Sequence, residues 1–210
     1  VALNASTYKI IHGENTGDTE YFKKGFASDE EREAYEAELC ATVEAEGAAL
    51  LKNENNALPL ASGAKVSLFG HGSVDLMYGG TGSGSVDTSK APNLKQALEA
   101  QGITINQTLW DLYSSDSMMS KYSRMTPASI SDTLEANTQY AVNEAPWSAL
   151  SSAESSFAEY GDAAIVVLSR SGGEGADLPS GENGTSDSWI SGQEGDGNYL
   201  ALSAEEIELL

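Results

Sequence analysis

The strongest constraint on the fold is one continuous apolar run, Ala163-Ala164-Ile165-Val166-Val167-Leu168-Ser169. It is rich in branched residues and predicts a parallel β-strand covered on both faces. A second run, Lys65-Val66-Ser67-Leu68-Phe69-Gly70, predicts a buried strand that ends on a glycine. Ile103-Thr104-Ile105 is a third candidate strand. Helical signals fall between and after these runs. Ser28 with Glu31 predicts a capped helix start, and apolar spacing through Tyr35, Leu39 and Val43 carries that helix to about Leu51. Asn93 to Gln101 predicts another, stopped at Gly102. Ser203-Ala204-Glu205-Glu206 opens a last one. Strands alternating with helices give an α/β class, with a mostly parallel sheet flanked by helices. Residues 109–156 hold helical pieces without a clear period, and no repeat at solenoid spacing is present.

Composition narrows the partners. Among 210 residues, 32 Asp and Glu against 11 Lys and Arg leave a formal net charge of −21. Such a chain repels phosphate backbones, anionic membrane surfaces and acidic substrates, and is indifferent to a neutral one. No nucleic-acid partner is expected. No stretch approaches the roughly 18 consecutive apolar residues of a membrane span, so no membrane partner is expected either. The compartment is left open. Asn4, Asn106 and Asn183 stand in N-x-Ser/Thr triplets, which matter only on a secretory route. The one cysteine, Cys40, excludes an intramolecular disulfide and any multi-cysteine zinc site. It falls mid-helix and reads as a small buried hydrophobe.

Chemistry concentrates after the strongest strand. Arg170-Ser171-Gly172-Gly173-Glu174-Gly175-Ala176-Asp177 follows it directly. In open α/β sheets, ligands bind beyond the carboxyl ends of the strands. A glutamate flanked by glycines there can approach a ligand closely, although a solvated loop acid has the same sequence. Trp189 lies in the polar stretch that follows. It can stack on a sugar ring, cover apolar surface of a partner, or anchor its own loop. The glycines from Gly79 to Gly84 do not form a dinucleotide fingerprint, because Ser85 stands where G-x-G-x-x-G counted from Gly80 needs glycine. They read as a stretch that lets backbone pass close by. His12 and His71 are too few for metal evidence. A triad drawn from His71 with Ser73 or Ser83 lacks the G-x-S-x-G elbow, so local hydrogen bonding is the plainer reading for both histidines.

Four segments, in order, resemble glycoside hydrolase family 3, the β-glucosidase family. They are Glu46-Gly47-Ala48-Ala49-Leu50-Leu51-Lys52-Asn53 with Ala57-Leu58-Pro59-Leu60, then Lys65 to Gly70, then Gly79 to Val86, then Asp162 to Asp177. Tyr199 to Leu209 is similar to the helix that follows in the family. The resemblance covers about residues 41–210. It implies the first part of the family's six-stranded α/β sandwich domain over 41–210, preceded by an arm and helix start over 1–40. It also implies that the rest of that domain, and a barrel carrying the aspartate nucleophile, belong to a separate or missing polypeptide, in the order that puts sandwich before barrel.

The activity so implied is retaining hydrolysis of terminal β-D-glucosidic bonds, by a larger assembly and not by this chain alone. Glu174 takes the place of the acid/base glutamate. Arg170, Asp177 and Trp189 are expected on the substrate side of the cleft. The motif departs from the family's S-G-E-G by one glycine, and Leu178 stands where arginine is common, so Glu182 and Glu194 compete for the acid/base role. No metal or organic cofactor is implied, the substrate is a β-glucoside or oligosaccharide, and a homo-oligomer stays open. Two alternatives remain: a family 3 enzyme of other specificity, such as a β-xylosidase or N-acetylglucosaminidase, and a non-catalytic carbohydrate-binding or scaffold domain.

Overall fold

The computed structural model describes residues 12, 25–79, 82–84, 86–124, 142–170 and 200–210. The chain divides into two compact units, Val1–Leu58 and Pro59–Leu210.

The first unit holds helix α1, Asp29–Gly47. Its start follows the sequence signal. Ser28 Oγ accepts the Glu31 amide at 3.2 Å, and Glu31 reaches back to the amide of Ala27 at 2.6 Å, one residue before the cap. Asp29, Glu30 and Glu31 place negative charge on the first turn, where the helix dipole favours it. Arg32 and Glu36, one turn apart, form an exposed pair at 2.7 Å. The helix stops at Gly47, short of the expected Leu51, because Ala48 turns extended (φ −68°, ψ 128°). Beyond it, Asn53 clasps both the amide and the carbonyl of Leu58, and Asn55 and Asn56 adopt positive φ. Asparagine tolerates that region better than other side-chain-bearing residues, so these residues favour a turn over further helix. No residue of α1 is buried, and Cys40 is exposed. This corrects its reading as a small buried hydrophobe: mid-helix position predicted burial, but α1 buries no face.

The second unit is built on a parallel sheet of three strands, ordered β2-β1-β3. They are β1 (Lys65–Phe69), β2 (Thr104–Ile105) and β3 (Ala163–Val166). Val66 pairs with Ile105 on one side and Ala163 on the other. The ladder runs past β3, since the Val167 amide donates to Phe69 O at 3.0 Å. Helix α2 (Leu94–Ala100) links β1 to β2. Asn93 and Gln96 form its reciprocal capping box, and Gly102 at φ +79° ends it. Helices α3 (Gln107–Tyr113) and α4 (Asp116–Tyr122) follow β2. Helix α5 (Ala204–Leu209) is capped by Ser203 with Glu206, in the box its sequence predicts. Among the described residues no helix is long and apolar enough to cross a membrane.

Alternation along β1 splits the core between two faces. Val66 and Leu68 join Ile103 and Ile105, against Leu94 and Leu98 of α2. Phe69 joins Leu109, Tyr113, Met118, Leu150 and Ala153 on the other face. Much of that second cluster comes from the patternless stretch 109–156. Asn106 is fully buried between these parts. Its Oδ1 caps α3, and its Nδ2 donates to Ser67 Oγ and Ser156 Oγ. Asn106 is 0% exposed, so its nitrogen has no room for a glycan and the Asn106 triplet is incompatible with modification in this fold.

One expectation is reversed. The run at 163–169 predicts a strand covered on both faces, yet β3 is only half-buried. Full coverage falls on β1, where Val66 to Phe69 are all buried. β1 sits between two neighbours, whereas β3 has a described neighbour on one side only.

Candidate functional site at the carboxyl edge of the sheet

β1 and β3 are parallel, so both leave the sheet at the same edge. β1 runs into Gly70 and the tight turn His71–Ser73. Gly70 has φ +85°, and a Cβ there would stand 2.8 Å from the carbonyl oxygen of Val167. A Cβ on Gly72 would stand 2.9 Å from the same oxygen. Real Cβ atoms do not approach so closely, so both positions require glycine for the β3 backbone to lie against the turn.

A buried carboxylate closes this turn. Glu144, 4% exposed, accepts the His71 amide at 2.9 Å and the Ala145 amide at 2.9 Å. His71 Nδ1 lies 2.9 Å from Glu144 Oε2, in a geometry that is not aligned as a hydrogen bond. Among the described residues no hydrogen bond reaches His71 Nε2 or Ser73 Oγ. A Ser73–His71 dyad of the kind a triad needs is therefore not formed. Tyr113 Oη accepts the Gly70 amide at 3.1 Å. Burial, and then the charge of Glu144, push the Tyr113 phenol well above its ordinary value, against the opposing effect of the Gly70 bond.

The exit of β3 is held by arginines. Arg124 donates to the Asp75 carbonyl at 2.6 Å and to Ser169 Oγ at 3.3 Å, and pairs with the Asp75 carboxylate at 2.9 Å. Arg170 meets Glu206 with two nitrogens, at 2.7 and 2.6 Å, in the fork geometry that suits a carboxylate. It also donates to Ser169 O and Ala201 O. Glu206 is 1% exposed and accepts the Ser203 amide as well. Next to the β1 turn, residues 74–79 with Val86 and Thr88 line a pocket of about 280 Å³. In that stretch a Cβ on Gly79 would collide with Gly84 O at 2.6 Å, so at Gly79 the lack of a side chain lets backbone approach backbone.

Of the residues singled out from sequence, Arg170 stands at this edge. Glu174, Asp177, Glu182, Trp189 and Glu194 lie outside the described residues. Sequence reasoning missed Glu144, Arg124 and Asp75. Their partners lie 73 residues away for Glu144 and His71, and 49 for Arg124 and Asp75. No local spacing records such contacts. Glu206 carried a legible signal as a helix-cap glutamate, but its second use, on Arg170, did not. Among the described residues no cluster of three or more His, Cys, Asp or Glu could hold a metal ion.

Comparison with known proteins gives three consistent findings. The sequence profile of the Glycosyl hydrolase family 3 C-terminal domain matches residues 48–201. Beta-glucosidase A of Butyrivibrio fibrisolvens is 34% identical over 146 residues, which are 67% of this chain and 15% of that protein. The crystal structure of a β-glucosidase from Paenibacillus barengoltzii superposes with a TM-score of 0.56 at 26% identity, over 82% of this chain and 16% of that one. The chain thus spans a small fraction of the length of the relatives it matches.

Proposed function

The chain belongs to glycosyl hydrolase family 3, through the C-terminal domain of that family, and we propose that it serves the retaining hydrolysis of terminal β-D-glucosidic bonds with Glu174 as general acid and base. The observation that carries this reading is the place where β3 ends. β3 ends at Val166, at the carboxyl edge of a parallel sheet, eight residues before Glu174 in sequence. Ligand sites of open α/β sheets gather at that edge.

Retaining hydrolysis needs a nucleophile and an acid/base about 5–5.5 Å apart. The acid must hold its proton until it meets the leaving oxygen, so it has to be desolvated or set beside another carboxylate. A glutamate on a glycine-flanked segment meets that need when a second domain covers it with substrate bound. The second domain in this proposal is the barrel with the aspartate nucleophile. Residues 41–210 then form part of the sandwich domain, with residues 1–40 as an arm leading into it. Asp177 and Trp189 would face the glucoside, and Arg170 would stand at the base of the same segment. The two relatives, each described as a β-glucosidase, support glucose as the sugar.

The test compares Glu174→Ala, Glu182→Ala and Glu194→Ala in the complete enzyme. Loss of a positioned acid/base should slow turnover about 10²–10⁴-fold. The loss should shrink for activated aryl leaving groups, and azide should restore part of the rate as a glycosyl azide. Near-normal turnover of Glu174→Ala, with azide rescue of either other variant, would move the role to that residue. The 210-residue chain alone should show no turnover of an aryl β-glucoside, and turnover near that of the complete enzyme would defeat the two-domain reading.

A further inference from the structure

Beside the β1 turn lies a concavity that the functional reading does not use. Its walls are residues 74–79 and, from the next stretch, Val86 and Thr88. Each wall is fixed from outside. The Asp75 amide donates to His71 O at 3.1 Å, and Arg124 holds the Asp75 carbonyl at 2.6 Å and the Asp75 carboxylate at 2.9 Å. In the second stretch, the Ala91 amide donates to Thr88 O at 3.0 Å. Tyr78 ties the two together, since its Oη donates to Pro92 O at 2.9 Å. The hydroxyl is thus engaged, and Tyr78 lines the pocket while half-exposed.

The lining selects a ligand by chemistry. It includes no Lys, Arg or His, so a phosphate or carboxylate finds no counter-charge there, and the net charge of −21 opposes it. A cation finds Asp75 already matched by Arg124. A wholly apolar ligand suits Leu76, Met77 and Val86 but strips water from the Asp75 carboxylate, and an unpaired charged acceptor is costly. The ligand that fits is neutral, has an apolar face and carries several hydroxyls. A sugar ring has that form. Its C–H face lies on an aromatic ring, and its hydroxyls donate to a carboxylate, which has about four lone-pair sites. The volume of about 280 Å³ falls just below the roughly 300–1,000 Å³ of pockets for larger ligands, which suits one ring. Asp75 is the one carboxyl in the lining, whereas glycoside cleavage takes two, so the pocket is not by itself a place of cleavage.

We propose that this pocket binds a single neutral sugar ring, stacked on Tyr78 and hydrogen-bonded to Asp75, at a place separate from the bond that is cleaved. The proposal does not depend on which glutamate is the acid/base.

The experiment uses the complete enzyme, first inactivated with a 2-deoxy-2-fluoroglucosyl donor that fills the cleavage site as a covalent glycosyl-enzyme. Methyl β-glucoside is then titrated in by calorimetry. The inactivated parent should bind it. Tyr78→Ala, which removes the ring, and Val86→Trp, which fills the pocket from an exposed position, should each weaken binding about tenfold, the order that one ring contact carries. Asp75→Asn should weaken it as well. Its Tm is read alongside, because Arg124 loses its charge partner, and Val86→Trp carries the test if that variant unfolds. Val43→Trp, exposed on α1, should bind like the parent. Glucuronate, with its added charge, and benzyl alcohol, with one hydroxyl, should bind more weakly than the glucoside.

Four results would overturn the proposal: no binding by the inactivated parent, unchanged affinity in Tyr78→Ala and Val86→Trp, tighter binding of benzyl alcohol than of the glucoside, or tighter binding of glucuronate. The inactivation itself separates this proposal from the functional reading. If the fluoroglucosyl donor does not label the enzyme, the retaining assignment fails, and the same titration of the unlabelled enzyme and its variants decides the pocket.

Discussion

β1 and β3 end side by side at the same edge, and their exits are finished in opposite ways. β1 passes into a buried turn in which the backbone itself is recognised. Glu144 takes the amides of His71 and Ala145, Tyr113 takes that of Gly70, and two glycines make room for Val167. β3 passes into a half-exposed stretch, with Leu168 at 40% exposure, that is held by the arginine side chains of Arg124 and Arg170. Bonds to backbone amides tolerate few substitutions and serve stability. The difference teaches that the β1 exit is a fixed, buried abutment, whereas the β3 exit as far as Arg170 is less buried and held by charged side chains.

If so, substitutions at the first exit should act on stability far more than those at the second. The largest effect is expected for Glu144→Ala. It leaves two buried amides without acceptors, at about 1–3 kcal/mol each, so local opening of β1 should become easier by about 3 kcal/mol. Hydrogen exchange of the β1 amides in the complete protein reads this directly. Protection unchanged from the parent would remove the distinction between the exits.

Tyr113→Phe comes next. It removes one neutral hydrogen bond, to the Gly70 amide, worth about 1 kcal/mol. It also has a pH signature. Burial raises the phenol in the folded state above its ordinary value of 10.0. As pH rises past about 10, the unfolded chain gives up this proton first and is favoured, so the stability present below that pH is lost above it. Urea unfolding of the complete protein should show this alkaline loss in the parent and a shallower one in Tyr113→Phe. Parallel pH curves would mean that Tyr113 does not carry it.

The smallest effect belongs to the second exit. Leu168→Ser, at a partly exposed position just past β3, should change stability by no more than about 0.5 kcal/mol. A loss comparable to that of Glu144→Ala would show that the β3 exit is as tightly built as its neighbour.

What the sequence discloses follows the range of the interaction. Ser28, Asn93 and Ser203 mark helix starts because a cap and its partner are three residues apart. The strand runs are equally local. Which strand is central is not local: β3 has the longer apolar run, but β1, interrupted by Ser67, takes the middle, where Asn106 Nδ2 donates to that hydroxyl and the hydroxyl donates to the Tyr160 carbonyl. The exposure of α1 and Cys40 is illegible for the same reason, since amphipathic spacing says which face can be buried and not whether anything covers it. At the site, the family motif around Glu174 is a short contiguous string, whereas Glu144 and Arg124 enter only through folding.

The strand order also sets a schedule for synthesis. β1 and β2 meet through contacts such as Ser67 with Asn106, 39 residues apart, while Lys65 waits for Asp162, 97 residues downstream. At about 5–20 residues per second of elongation, β1 spends roughly 5–20 s with one edge unpaired after it has been made. A nascent chain with an open, apolar parallel edge is a target for chaperones and for mispairing with its neighbours on the same message. The arrival of β3 ends that interval, and the residues that include the candidate acids are synthesised directly after it. Capture of the open edge therefore comes before the candidate acids have been made.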